Sequence, residues 1–148
     1  MHNNEFDLAK FLPFELHQAS ETQSQAFAKV YREKYGITRT EWRVFAHIGQ
    51  TDRMTATQIG LASRLHKTKV SRAVSSLQKR GWIKRDTQKS DRRVQYLSMS
   101  KVGATVYAEL ANEASLFNKK VAEHIGEEAF KEILKHLRNL QRNQGETG

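Results

Sequence analysis

Cysteine is absent from the 148 residues. That excludes a disulfide scaffold, a thiol nucleophile, a thiol-based redox switch and every thiolate metal site, and it suits a reducing compartment. Proline occurs once, at Pro13, and glycine eight times, so few positions interrupt a helix and a mainly helical chain is expected. No run approaches the roughly 20 apolar residues that a membrane-spanning helix needs. The N-terminal stretch MHNNEFDLAK has neither a basic leader nor an apolar core behind it, so a soluble, cytoplasmic protein with no membrane partner is expected. At this length the chain fits a single domain, residues 1–148.

Charge is present and unevenly placed. Residues 64–93 hold Arg64, Lys67, Lys69, Arg72, Lys79, Arg80, Lys84, Arg85, Lys89, Arg92 and Arg93 against two acids, Asp86 and Asp91, and this window alone accounts for the formal net charge of +9. Everything outside it is neutral in sum. One concentrated basic window is the electrostatic footprint of a nucleic-acid-binding element, because ordinary solvated faces intersperse both signs.

The apolar spacing organises the chain. Residues 6–35 read as one helix or a broken pair, restricted near its start by Pro13 and ended by Gly36. Thr40 resembles an N-cap for a helix that buries Trp42, Val44, Phe45 and Ile48. Thr55 and Gln58 have capping-box spacing, which predicts a short helix from about Ala56 with Ile59, Ala62 and Leu65 turned inward. A second short helix follows a tight turn, with Val70, Ala73, Val74 and Leu77 at i, i+3, i+4, i+7 and Gly81 as its stop. Its other face projects Lys67, Thr68, Lys69, Ser71, Arg72, Ser75 and Lys79. Residues 82–87 and 94–100 are strand-like, joined by the polar QKSDRR. Residues 101–125 form a long helical stretch, Gly126 interrupts it, and Glu127 and Glu128 suit the N-terminus of a final helix. The tail NQGETG is expected to fray. The fold class is therefore mainly α with a small β-hairpin: a winged helix-turn-helix over 38–100, with apolar helices at both ends of the chain, 6–35 and 101–143, that the central lobe cannot cover by itself.

The stretches VSRAVSSLQKRGWIKRD and SDRRVQYLSMS carry a family resemblance. Val-Ser-Arg in the second short helix, the Gly that closes it, and Asp91, Arg93 and Leu97 in a D-x-R-x-x-x-L pattern resemble the MarR (multiple antibiotic resistance regulator) family over nearly the whole length. Met99 and Ser100 stand where the family pattern ends in Leu and Thr. Arg64 and His66 stand where members often have Gly and a capping Ser. The resemblance implies a homodimeric regulator of transcription, a repressor on a palindromic operator, whose terminal helices interlock. Each subunit would place the helix from near Lys67 in a major groove of double-stranded DNA and its wing in the adjoining minor groove. The implied DNA-binding residues are His66, Lys67, Thr68, Lys69, Ser71, Arg72, Ser75 and Lys79 on the helix, and Lys89, Ser90, Asp91, Arg92 and Arg93 on the wing. Asp91 and Arg93 are expected to pair, leaving Arg92, or alternatively Arg93, for the groove. Thr68, Lys69 and Arg72 suit base edges; Lys67, Ser71, Ser75 and Lys79 suit phosphates.

Members also often hold a small aromatic or phenolic anion as effector, for which Phe14, His17, Arg43 and His47 are the candidates here, against simple packing and surface solvation. The six histidines show no H-E-x-x-H and no close ligand pair, and no phosphate loop or nucleophile motif occurs, so neither an enzyme, a cofactor nor a metal is expected. The competing reading is a basic architectural protein that binds DNA without a preferred operator. The ordered Thr, Ser and Arg array on the second short helix speaks for sequence readout, since phosphate binding needs no such variety.

Overall fold

The computed structural model describes residues 5–87, 90, 91 and 93–146. They comprise a 3-10 turn at Leu8–Lys10, then α1 (Leu12–Tyr35), α2 (Arg39–Gly49), α3 (Ala56–Ser63), α4 (Lys67–Lys79), β1 (Ile83–Thr87), β2 (Gln95–Met99), α5 (Lys101–Ile125) and α6 (Glu127–Glu146). The fold is mainly helical with one antiparallel hairpin, registered Ile83 to Met99 through Thr87 to Gln95. No helix among the described residues is long and apolar enough to cross a membrane.

Two compact units result, one reaching Leu110 and the other beginning at Ala111. The first holds a core of Tyr31, Ile37, Val44, Phe45, Ile48, Ile59, Val70, Val74, Leu77, Leu97 and Leu110, each essentially closed to solvent. Aromatic contacts bind its helices: Tyr31 stacks on Trp42, and Phe45 meets both Trp82 and Tyr107. The backbone of Gly103 lies so close to the Trp82 carbonyl that no Cβ fits there, which seats the start of α5 against the base of the hairpin. In the second unit, the end of α5 and all of α6 leave Leu116, Ile125, Ile133 and Leu134 exposed.

Several boundaries differ from expectation for local reasons. Residues 12–35 form one unbroken helix, because Pro13 falls in the first turn, where its missing N–H costs nothing. Thr38, not Thr40, caps α2: its hydroxyl accepts from the Glu41 N–H and its own N–H donates to Glu41 Oε1, both at 3.2 Å. Thr40 has Arg43 three residues on and cannot form that reciprocal pair. On α3 the inward positions are Ile59 and Ser63, whereas Ala62 is exposed. Buried Ser63 is satisfied by donating to the Ile59 carbonyl at 2.6 Å. The hairpin strands are shorter than 82–87 and 94–100 by the residues at their edges, and α6 continues to Glu146 through the start of the tail expected to fray.

Candidate nucleic-acid interface

The candidate recognition element begins at the turn between α3 and α4. Arg64 closes α3 in the left-handed region at φ 56°, the only described non-glycine residue with positive φ, and its N–H reaches the Gly60 carbonyl. His66 then caps α4, its Nδ1 accepting from the Thr68 N–H at 3.2 Å. Arg64 and His66 thus occupy the conformations that a Gly and a capping Ser fill more cheaply, and the turn forms all the same.

Val70, Ala73, Val74 and Leu77 are buried against α2 and α3, as their spacing requires. The predicted contact residues Lys67, Thr68, Lys69, Ser71, Arg72, Ser75 and Lys79 are all exposed on the remaining face. Among the described residues no side-chain hydrogen bond or ion pair ties these seven side chains down. Lys69 and Arg72 instead border a cleft of about 270 Å³ with Thr38, Thr40, Glu41, Ala73 and Ser76. The N-terminal residues of α2 are therefore part of the same surface, and the Thr38-x-x-Glu41 spacing was the sequence signal for them.

The wing is held at the middle of β2 by an extra bridge, in which Met54 and Leu97 exchange N–H to carbonyl bonds at 3.0 and 2.7 Å. Arg85 lies along the hairpin, its Nε donating to Gln78 at 2.7 Å and its Nη1 to Gln95 at 3.0 Å. Arg53 stacks 4.0 Å above the Tyr96 ring. It adds a cation beside the wing that no periodicity reveals, since residues 53 and 96 meet only in the folded chain. At the tip, Asp91 Oδ1 accepts from the Arg93 N–H at 3.0 Å and from Arg93 Nε at 3.1 Å. Those bonds, the side-chain one foremost, hold the Asp91 carboxyl below its usual range. The Arg93 side chain remains 93% exposed. Ser90 is exposed beside it, while Lys89 and Arg92 lie outside the described residues.

Of the effector candidates, Arg43 and His47 come together on α2. Arg43 donates to the Ser63 carbonyl, and burial first, then the Arg43 charge, pushes the His47 pKa down. Phe14 is half-buried on the first turn of α1, and His17 is exposed near Glu21, which itself pairs with Arg39 at 3.0 Å. No hydrogen bond or ring contact joins Phe14 or His17 to the α2 pair among the described residues. Nor does any group of three His, Asp or Glu among those residues suit a metal ion.

Comparison with known proteins fits this geometry. Residues 35–94 match the model of the MarR family. No curated protein matches the chain by sequence. Among solved structures, the chain is similar to the MarR/EmrR family transcriptional regulator from Acinetobacter sp. ADP1, with a TM-score of 0.82 at 22% identity over 97% of this chain and 100% of that one. It is similar also to the MarR family transcriptional regulator SPO1453 from Silicibacter pomeroyi DSS-3, with a TM-score of 0.79 at 22% identity over 93% and 99%. NadR in complex with 4-hydroxyphenylacetate superimposes with a TM-score of 0.84 at 17% identity over 93% and 100%. At these identities the likeness establishes a shared fold, the winged helix-turn-helix of MarR-type regulators.

Proposed function

We propose that a chain with MarR-like sequence at its centre and a MarR-type fold throughout serves as a homodimeric, sequence-specific regulator of transcription, binding a palindromic operator as a ligand-responsive repressor. One observation carries the reading. The α4 face bearing Lys67, Thr68, Lys69, Ser71, Arg72 and Ser75 is exposed and untied, while the opposite face of that helix is fully buried. A two-fold pair of such helices suits half-sites one helical turn apart, roughly 34 Å. In this reading residues 1–148 act as one MarR-like domain, with 6–35 and 101–143 supplying the dimer contacts.

Selection of bound sequences from random duplexes tests it. A recurrent inverted repeat is expected, whereas uniform recovery of all sequences favours the architectural alternative. Within the selected site, Arg72→Ala should weaken binding by roughly 1–3 kcal/mol and relax preference at one or two base pairs per half-site, as removal of a bidentate guanine reader does. Lys79→Ala should weaken all duplexes about equally, as removal of a phosphate partner does.

For the effector, Arg43 placed one turn from a half-buried His47 on α2 supports a small aromatic acid or phenol: a carboxylate or phenolate set against Arg43, with Phe14 and His17 as further lining. Such a ligand releases DNA only by binding one dimer geometry better than the other. Calorimetric titration with 4-hydroxyphenylacetate and benzoate, with and without Arg43→Gln, checks this. Equal affinity in both proteins removes Arg43 from the site.

A further inference from the structure

Arg80 belongs to the basic window by sequence but does not project from it. Its Nη1 and Nη2 donate to the carbonyls of Tyr35 and Gly36 at 2.9 and 3.2 Å, the end of α1, where the helix dipole is negative. Its Nε lies 3.7 Å from Glu41 Oε2. That oxygen of Glu41, a residue only 8% exposed, also accepts from Ser76 Oγ at 2.7 Å, while the other carboxylate oxygen accepts from the Thr38 N–H. Ser76 lies on the last turn of α4 and Arg80 caps its C-terminus one turn on, so the end of this helix is tied to the end of α1 and the start of α2. The Arg80 guanidinium further lies 5.3 Å from the Trp82 ring centroid, Trp82 meets Tyr35 edge-on, and the Tyr35 hydroxyl bonds Glu109 of α5.

We propose that Arg80 acts in DNA binding as a positioning residue and not as a DNA contact: with Glu41 and Ser76 it sets the angle at which α4 leaves the corner between α1 and α2. This rests on the regulator reading above. The guanidinium is suited to the task because its planar fork serves two carbonyls and a carboxylate at once, which an ammonium cannot match. Its charge is already answered by Glu41 and the α1 carbonyls, leaving little for a phosphate. The lever is long enough to matter. Arg72 lies eight residues before Arg80, about 12 Å along the helix, so a tilt of about 5° there moves it about 1 Å. Hydrogen bonds to base edges tolerate only a few tenths of an ångström.

The test measures affinity for the selected duplex and for a scrambled one across a salt series, for the wild type, Arg80→Lys, Arg80→Met and Glu41→Gln, with circular dichroism confirming a folded protein. Arg80→Lys and Glu41→Gln are mild enough to carry the test should Arg80→Met unfold. Both are expected to weaken selected-site binding roughly tenfold or more. The salt slope should stay unchanged and the preference over the scrambled duplex should shrink. The pair of changes combined should cost no more than the worse single one, since they break one network. Wild-type affinity in Arg80→Lys, together with a salt slope shallower by about 0.9 for each phosphate left unneutralised in Arg80→Met, would make Arg80 an ordinary phosphate partner. Tighter binding by Glu41→Gln, the result that charge alone dictates, overturns the proposal as well. A wild type that does not distinguish the two duplexes overturns the regulator reading itself, and the proposal with it.

Discussion

Asp91 is an acid in a positive surface, and its bonds explain its presence. Hydrogen bonds from the Arg93 N–H and guanidinium tie Arg93 to the Asp91 carboxylate, with the Val94 N–H closing on the Asp91 carbonyl at 3.1 Å. An exposed pair of this kind adds little to folding, so under the proposed reading its place is in shaping the wing. Asp91→Ala is therefore expected to weaken operator binding while leaving the melting temperature nearly unchanged, although it removes a charge that repels DNA. Gel-shift titration over a range of salt decides; tighter binding at every salt would return residues 90–93 to an ordinary hairpin tip. His47 gives a second prediction at this scale. Burial and Arg43 depress its folded pKa below the ordinary value of about 6.5, so the unfolded chain takes up its proton first as pH falls. The stability it contributes is complete above about pH 6.5 and is lost as pH falls from there through the depressed folded value. Urea midpoints at pH 7.5 and 5.5 should differ less for His47→Gln than for the wild type.

The turn between α3 and α4 is where an element's geometry sets a cost. Arg64 holds a left-handed conformation that a residue with a Cβ adopts only with strain, and the structure gives the position no side-chain partner among the described residues. Arg64→Gly should raise stability by up to about 1 kcal/mol, the strain relieved less the greater entropy that glycine loses on folding. Chemical denaturation checks the sign. A loss of stability would mean that the arginine side chain contributes more than its backbone costs. Glu41 shows the same interplay within α2. Burial alone would raise its carboxyl, but bonds from Ser76 and Thr38 and the Arg80 charge outweigh that and hold it below the usual carboxylate range. A helix cap is thereby also a fixture for a neighbouring helix.

At the scale of the molecule, apolar surface remains uncovered. In the first unit Phe6, Leu8, Phe11, Leu12 and Leu16 are exposed at the start of the chain; in the second, Leu116, Ile125, Ile133 and Leu134 are. Isolated chains seldom leave that much apolar surface in water, and a second copy can cover both sets by a two-fold exchange. Light scattering should accordingly find a dimer at micromolar concentration. Leu137→Glu, which buries an unpaired charge in such an interface, should cost several kcal/mol and abolish dimerisation and operator binding together. A stable folded monomer of the wild type would defeat the homodimer, and loss of only one property in the variant would break the coupling between them.

What the amino-acid order determined by itself is local. The α4 face of Val70, Ala73, Val74 and Leu77, the Thr55 to Gln58 capping box and the start and end of α5 all follow from residues within a few turns of one another, whose spacing is the interaction, whereas the Asp91 to Arg93 pair came from the family resemblance. The extent of the basic window was legible too, because charge adds along the chain wherever it lies. Its internal division was not. Whether a given arginine meets solvent or protein depends on groups outside its own element: Arg80 meets carbonyls 44 and 45 positions earlier, and Arg85 meets Gln78 at the end of α4 and Gln95 on the opposite strand. Tertiary structure alone decided which cations are bound to the protein and which stand free for a partner, since guanidinium groups of identical local sequence character are separated only by what the folded chain brings within hydrogen-bonding reach of them.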